Sequence, residues 1–394
     1  MLRLLVLGRP PGGPRPAPLG VRSRARPHLR SRPGTGGPRP RRSSLLGRFR
    51  LRLALGSALA VMACTSAAAS PGPPPPPSPL PAPAPAPASA LRGASAAADF
   101  PMRIVAYVAN SGSGSVSAFD VRLDKPVGTV KVGTGPTGVG VAPDGSHVYV
   151  ANGVSDTVSF IQTPGRKVVA TVPVGSYPFS ATASRDGRRV YAANWGSDNV
   201  TIIDTKSRKV TATVPVGELP HSVATLPQGT AYVTNSGTND VTVLSKNNRP
   251  GPRIPVGDFP SGIAASPKGD RVYVADTGSG GISVITPATN KVTATWAVGT
   301  APLGVGVSPD GRWLYATDTG ANALLIIDTS TGRVTARVPV GKTPQGLAVS
   351  PGGSRVWVTN EESDTVSVID PSLPKVRATL RTGHHPEGIA ITPR

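Results

Sequence analysis

A Gly-x-x-Pro element recurs along most of this 394-residue chain, at Gly133, Gly175, Gly217, Gly257, Gly299, Gly341 and Gly383. The interval is 42 residues each time but one, where it is 40. A fixed period of this length marks a small structural unit copied and stacked, because one unit cannot bury its apolar face alone. Gly (46) and Pro (45) are abundant enough to supply a turn every few residues, and no stretch shows a helical period.

Further columns keep step with the first. One is aromatic: Tyr107, Tyr149, Tyr191, Tyr232, Tyr273, Tyr315 and Trp357, which takes six of the seven tyrosines. Three residues later stands Asn or Asp, as in Asn110, Asn152, Asp276 and Asn360, expected to cap a turn by bonding its own backbone. A column of small residues, Gly140, Thr182, Ala224, Ala264, Gly306, Ala348 and Ala390, suits strands that converge on an axis. Within each unit, β-branched runs such as Val272-Tyr273-Val274 are separated by turns such as Pro309-Asp310-Gly311, giving four short strands.

Four-stranded units at this period predict an all-β fold, a seven-bladed β-propeller. The repeat region, 101–394, opens on an aromatic strand with no innermost strand before it. It ends on an innermost strand, Gly388 to Thr392, with no further strand after it. The C-terminal strand is therefore expected to complete the first blade and close the ring, which leaves no edge to unzip.

The residues before 101 are of another kind. Residues 1–40 are rich in Arg, Pro and Gly and are expected to form a disordered leader, lying upstream of the true translation start. Residues 41–64 read as a signal peptide: a basic segment, then the apolar run from Leu53 to Ala63, then Cys64. The placement of this single cysteine resembles a lipobox, so Cys64 is the expected lipidation site, with ordinary signal cleavage nearby as the alternative. Residues 65–100 form a Pro/Ala-rich linker, a semi-rigid polyproline II spacer. One Cys excludes an internal disulfide framework and a Cys-rich zinc site. The net charge of +21 is uneven: residues 1–100 hold 15 Arg and one acid, and residues 101–394 hold 27 basic and 20 acidic residues. The basic balance belongs mostly to the leader, so nucleic acid is not the partner it predicts.

Tyr232-Val233-Thr234-Asn235, within units of the form Pro-Val-Gly-x-x-Pro-x-Gly, resembles the signature of the YVTN-repeat (YncE-like) β-propeller family over about 101–394. The resemblance implies a seven-bladed propeller, usually extracytoplasmic or at the cell surface. It implies little about activity, since related propellers include lactonases, lyases and redox-enzyme subunits, and no catalytic residue carries over.

Propellers place ligands at the axial mouth, where loops enter the innermost strands. Here those are the Gly-x-x-Pro loops, and the residues flanking each Pro are where the repeat stops repeating. Tyr177, Phe179 and Phe259 could stack on a ligand or plug the channel. His221, His384, His385 and Glu387 could bind a cation or act as acid and base, though no standard ligand spacing links them. Gln345 completes the candidate set. Clusters such as Arg188-Arg189 and Lys206-Arg208-Lys209 read as solvated edges, with contact to an anionic envelope polymer as the alternative. No nucleophile–His–acid triad can be assembled.

The expected function is that of an exported, monomeric, non-catalytic module that binds a protein or envelope polymer and reaches the membrane through a Cys64 lipid. No cofactor is expected. The alternative is a metal-assisted, lactonase- or lyase-like enzyme with its site at the same mouth.

Overall fold

The computed structural model describes residues 103–163 and 165–393. The expected leader, signal peptide, Cys64 and linker lie outside the described residues. Among the described residues no helix is long and apolar enough to cross a membrane.

Seven antiparallel four-stranded sheets form a ring of blades. The first blade contains β1 (Val105–Asn110), β2 (Ser115–Asp120) and β3 (Lys125–Lys131), with β28 (Pro386–Ile391) on the free side of β1. Tyr107 pairs with Ala390 and Val108 with Ile389, so the last strand completes the first sheet as the sequence predicts. The other blades follow in chain order. Their innermost strands are β4 (Pro136–Val141), β8 (Pro178–Ala183), β12 (Pro220–Thr225), β16 (Pro260–Ala265), β20 (Pro302–Val307) and β24 (Pro344–Val349).

The aromatic column is the core. Every member is at most 2% exposed, and each packs with β-branched residues of its own and the neighbouring blade. Burying a side chain of that size is the largest apolar gain a short strand can offer. Two hydroxyls also link blades: Tyr191 donates to Asn248 Oδ1 at 3.2 Å and Tyr232 to Asn290 Oδ1 at 2.6 Å.

The Asn/Asp column does something other than cap its own turn. Asn152 accepts the Gly133 amide at 3.1 Å and donates through Nδ2 to Thr157 Oγ1 (3.0 Å) and Ser159 Oγ (2.9 Å). It ties the loop entering its blade to the third strand of that blade. A Cβ on Gly133 would fall 2.7 Å from Asn152 Cγ, so the glycine column is set by this packing.

A second glycine constraint shapes the centre. Cβ atoms on Gly138, Gly262, Gly304, Gly346 and Gly388 would lie 2.2–2.7 Å from a carbonyl oxygen of the next innermost strand. For Gly388 that oxygen belongs to Thr137, so the same contact closes the ring. Ser180 and Ser222 stand at this position in the third and fourth blades. The packing of the inner wall is therefore least uniform there.

Candidate functional site: the axial mouth

Each innermost strand begins with a proline and then slips register against its neighbour: Pro136 pairs with Asn152, but Val139 with Val150. The extra residue is a β-bulge, which re-aims side chains at a strand end. The residues after the prolines thereby reach the axis. Thr137, Phe179, His221, Leu303, Gln345 and Glu387 line an axial cavity of about 220 Å³, with glycine backbone forming much of its remaining wall. Ser261, their equivalent in the fifth blade, is fully buried and donates to the Phe259 carbonyl.

The residue before each proline forms an outer rim, and in every blade but the sixth, where it is Ala301, it is held in the left-handed region. Gly135 fits there without cost, but Tyr177 (φ 50°), Leu219, Phe259 (φ 51°), Thr343 and His385 do so as well. Such backbone costs about 1–3 kcal/mol per residue and persists only where the surroundings enforce it. The enforcement is regular. Asp156 accepts the Tyr177 amide at 2.7 Å, Asp198 that of Leu219 at 3.0 Å, Asn239 that of Phe259 at 2.9 Å and Asp364 that of His385 at 2.8 Å. Each acceptor sits in the preceding blade, so these Asp and Asn side chains are staples between blades.

The eight candidate residues fall into two groups. Phe179, His221, Gln345 and Glu387 line the cavity; Tyr177, Phe259, His384 and His385 belong to the rim. Phe179 lies 4.0 Å from the His221 ring, centroid to centroid, and His221 Nδ1 is 3.0 Å from Ser222 Oγ. Burial pushes the His221 imidazole down to about 4, so it is neutral at pH 7. Tyr177 (38% exposed) and Phe259 (45% exposed) present their rings to solvent, and Tyr177 lies 5.8 Å from Trp195.

The opposite arc is polar. Gln345 Nε2 donates to Glu361 Oε2 at 2.6 Å, and His385 Nδ1 is 3.7 Å from Glu361 Oε1. His384 Nδ1 is 2.9 Å from Asp364 Oδ2. Burial lifts the Glu387 carboxyl to about 7; a hydrogen bond from Ser111 opposes the rise and the charge of Glu361 adds to it. Burial, with the charges of Glu387 and Glu361, also raises the Tyr177 phenol. Among the described residues no group of three or more His, Cys, Asp or Glu side chains is gathered to hold a metal ion. His221, His384, His385 and Glu387 are thus not brought together as one ligand set.

Glu361 escaped the sequence reading. It follows the Asn/Asp column, where Ser236, Thr277 and Thr319 donate to the carbonyl of the next blade's proline. A glutamate in a Ser/Thr column, like Trp195 at the same position, is a break in the repeat that could have revealed it.

Comparison with known proteins agrees with this architecture. The YNCE-like beta-propeller family matches residues 93–231, and the family described as Lactonase, 7-bladed beta-propeller matches residues 287–372. No curated protein matches. A chain from Kuenenia stuttgartiensis hydrazine synthase superposes with a TM-score of 0.62 at 22% identity, covering 72% of this chain and 99% of that one. A functionally unknown protein from Desulfotomaculum acetoxidans gives 0.66 at 17% identity, covering 73% of this chain and 98% of that one. A protein described as a candidate 6-phosphogluconolactonase from Bacteroides fragilis gives 0.64 at 16%, covering 74% of this chain and 98% of that one. At these identities the structural likeness is one of fold. With the repeat and the blade count, these matches show a seven-bladed β-propeller that is similar over residues 93–231 to the YNCE-like family.

Proposed function

We propose that this propeller is a non-catalytic binding module that takes a protein or an envelope polymer at its axial mouth. The observation that carries the reading is the pair of solvent-exposed rings, Tyr177 and Phe259, both held in left-handed backbone, with Trp195 beside Tyr177. A solvated loop gains nothing from a bulky aromatic side chain in that conformation, whereas a ligand face does. The signal-peptide pattern, Cys64 and the Pro-rich linker support export and display at the cell surface, with a lipid on Cys64 as the membrane anchor. Mass spectrometry of the mature N-terminus tests the anchor. The mouth is tested by co-sedimentation with insoluble cell-envelope material, comparing the natural chain with a Tyr177→Ala/Phe259→Ala double variant. The double variant is expected to lose binding; equal retention of both would overturn the reading.

A second reading, a lactonase- or lyase-like enzyme, draws on one feature of the site and one comparison. Glu387 titrates near neutrality inside the cavity, as a general acid or base would. The lactonase family matches the segment that carries Gln345 and Glu361. Lactone hydrolysis by the purified protein, abolished by Glu387→Gln, would favour this reading. Metal analysis of the same preparation tests whether a metal assists.

A further inference from the structure

The strands of each blade run alternately away from the mouth and back, so half of the turns lie on the opposite face. The two faces differ in charge. The mouth-side turns and loops carry acids such as Asp156, Asp198, Glu218, Asp258, Glu361 and Asp364, against one cation, Lys342. On the far face the third blade is conspicuously basic. Arg185 and Arg188 lie in the turn between β8 and β9 (Arg189–Asn194), and Lys206 and Arg208 in the turn between β10 (Asn199–Asp204) and β11 (Lys209–Pro215).

A cleft of about 310 Å³ opens on this face between the third and fourth blades, lined in part by Arg185, Arg189, Tyr191, Thr225 and Lys246. Its cations are pinned across the blade boundary. Arg185 Nε donates to the Thr225 carbonyl at 3.2 Å, and Arg189 Nη1 to the Lys246 carbonyl at 2.8 Å. Arg189 Nη1 also donates to Asn248 Oδ1 at 3.4 Å. A guanidinium has five donors, so each fork is oriented through one nitrogen and has others to offer. The acid at the cleft, Asp186, is engaged inside its own turn by Ser184 Oγ (2.6 Å) and the Arg188 amide (3.1 Å).

Arg185 also breaks a column. The other blades place Pro143, Pro227, Pro267, Pro309, Pro351 and Pro393 at this position, where proline presets the turn. A cation has replaced the residue that the turn prefers, at the wall of the cleft. We propose that this cleft is an anion site for a phosphate ester, held by Arg185, Arg189 and Lys246. Planar forks flanking a cleft of this size suit a phosphoryl group. The phosphoryl group could arrive on a free phosphorylated small molecule or within a phosphate-rich polymer continuing over Arg188, Lys206 and Arg208. The site is separate from the mouth and does not depend on what binds there.

The test is calorimetric titration of the full chain with inorganic phosphate and, separately, with long-chain inorganic polyphosphate. Saturable phosphate binding is expected, weakened at least tenfold by Arg185→Pro and by Lys246→Gln. Arg185→Pro restores the residue of the other repeats, and Lys246 is exposed, so both variants should fold. Lys375→Gln, in β27 (Lys375–Arg381) of the seventh blade, should bind as the natural chain does. Polyphosphate at least tenfold tighter than phosphate, with the advantage lost in Arg185→Pro and Lys246→Gln, would identify the polymeric source, and equal affinity per site the small-molecule source. Absence of phosphate binding, indifference to both cleft variants, or an equal loss in Lys375→Gln would each overturn the proposal.

Discussion

Gly341 and Asn360 fix each other's identity: Asn360 Oδ1 accepts the Gly341 amide at 3.1 Å, and a Cβ on Gly341 would fall 2.6 Å from the Asn360 Cβ. The same pairing recurs around the ring, so the two most regular columns of the sequence are one contact seen from both sides. Overpacking at such a point costs about 1–3 kcal/mol. Gly341→Ala is expected to lower stability by that amount in a urea titration, and an unchanged midpoint would refute the packing argument.

Asp276 occupies the Asn position in the fifth blade, fully buried, with Ser283 donating to its Oδ2 at 2.6 Å. Burial lifts its carboxyl to about 6. A group whose folded pKa is raised stabilises fully at low pH, and that contribution is lost as pH rises through the folded value. Asp276→Asn is therefore expected to stabilise the protein by about 1–3 kcal/mol at pH 8 and by much less at pH 4. Its amide would donate to Ser283 as Asn152 donates to Ser159. Melting curves at the two pH values decide it.

Blade number, strand order and ring closure were legible in the sequence because they rest on periodic residues, and Tyr107 facing Ala390 follows directly from where the repeat begins and ends. The ring of residues after each proline was legible too, as the place where the period fails. Two things were not. The partner of the Asn/Asp column lies across the blade rather than in its own turn, which local turn chemistry does not specify. The Arg185 cleft depends on how two blades abut, and a column read for regularity hides the one member that departs from it.

His221 offers the opposite pH dependence to Asp276. Its folded pKa, about 4, lies below that of an exposed imidazole, so the unfolded chain binds the proton more readily. Stability from this group is present above about pH 6.5 and is lost as pH falls toward 4. The loss should reach about 3 kcal/mol at full burial. His221→Gln is expected to flatten this part of the acid limb. Parallel acid dependence in both proteins would show that His221 is hydrated.

Ring closure should be separable from blade formation. Removing residues 386–394 deletes β28, exposes the free edge of β1 and breaks the bond from the Val105 amide to Thr392 Oγ1 at 2.9 Å. An unpaired edge next to buried Val105 and Tyr107 is a template for other chains. The truncated protein is expected to melt at lower temperature and to associate with rising concentration, as read by light scattering. A monomer of unchanged stability would mean that the fourth strand of the first blade contributes little to closure.

Glu387 links the mouth to pH. Its carboxyl lines the axial cavity, bonded by Ser111 and repelled by Glu361, and titrates near 7 because burial disfavours the anion. The raised value means that its contribution to stability is whole below about pH 4.5 and disappears as pH rises through 7. Glu387→Gln keeps the shape and removes the charge. It should gain about 1–3 kcal/mol at pH 8 and nothing at pH 4.5. A cationic ligand at the mouth would bind Glu387 more tightly as pH rises through 7, and the variant would lose that dependence. If melting of the natural chain and of Glu387→Gln differs equally at both pH values, the carboxyl is solvated, and the polar arc of the mouth is then merely a wet rim.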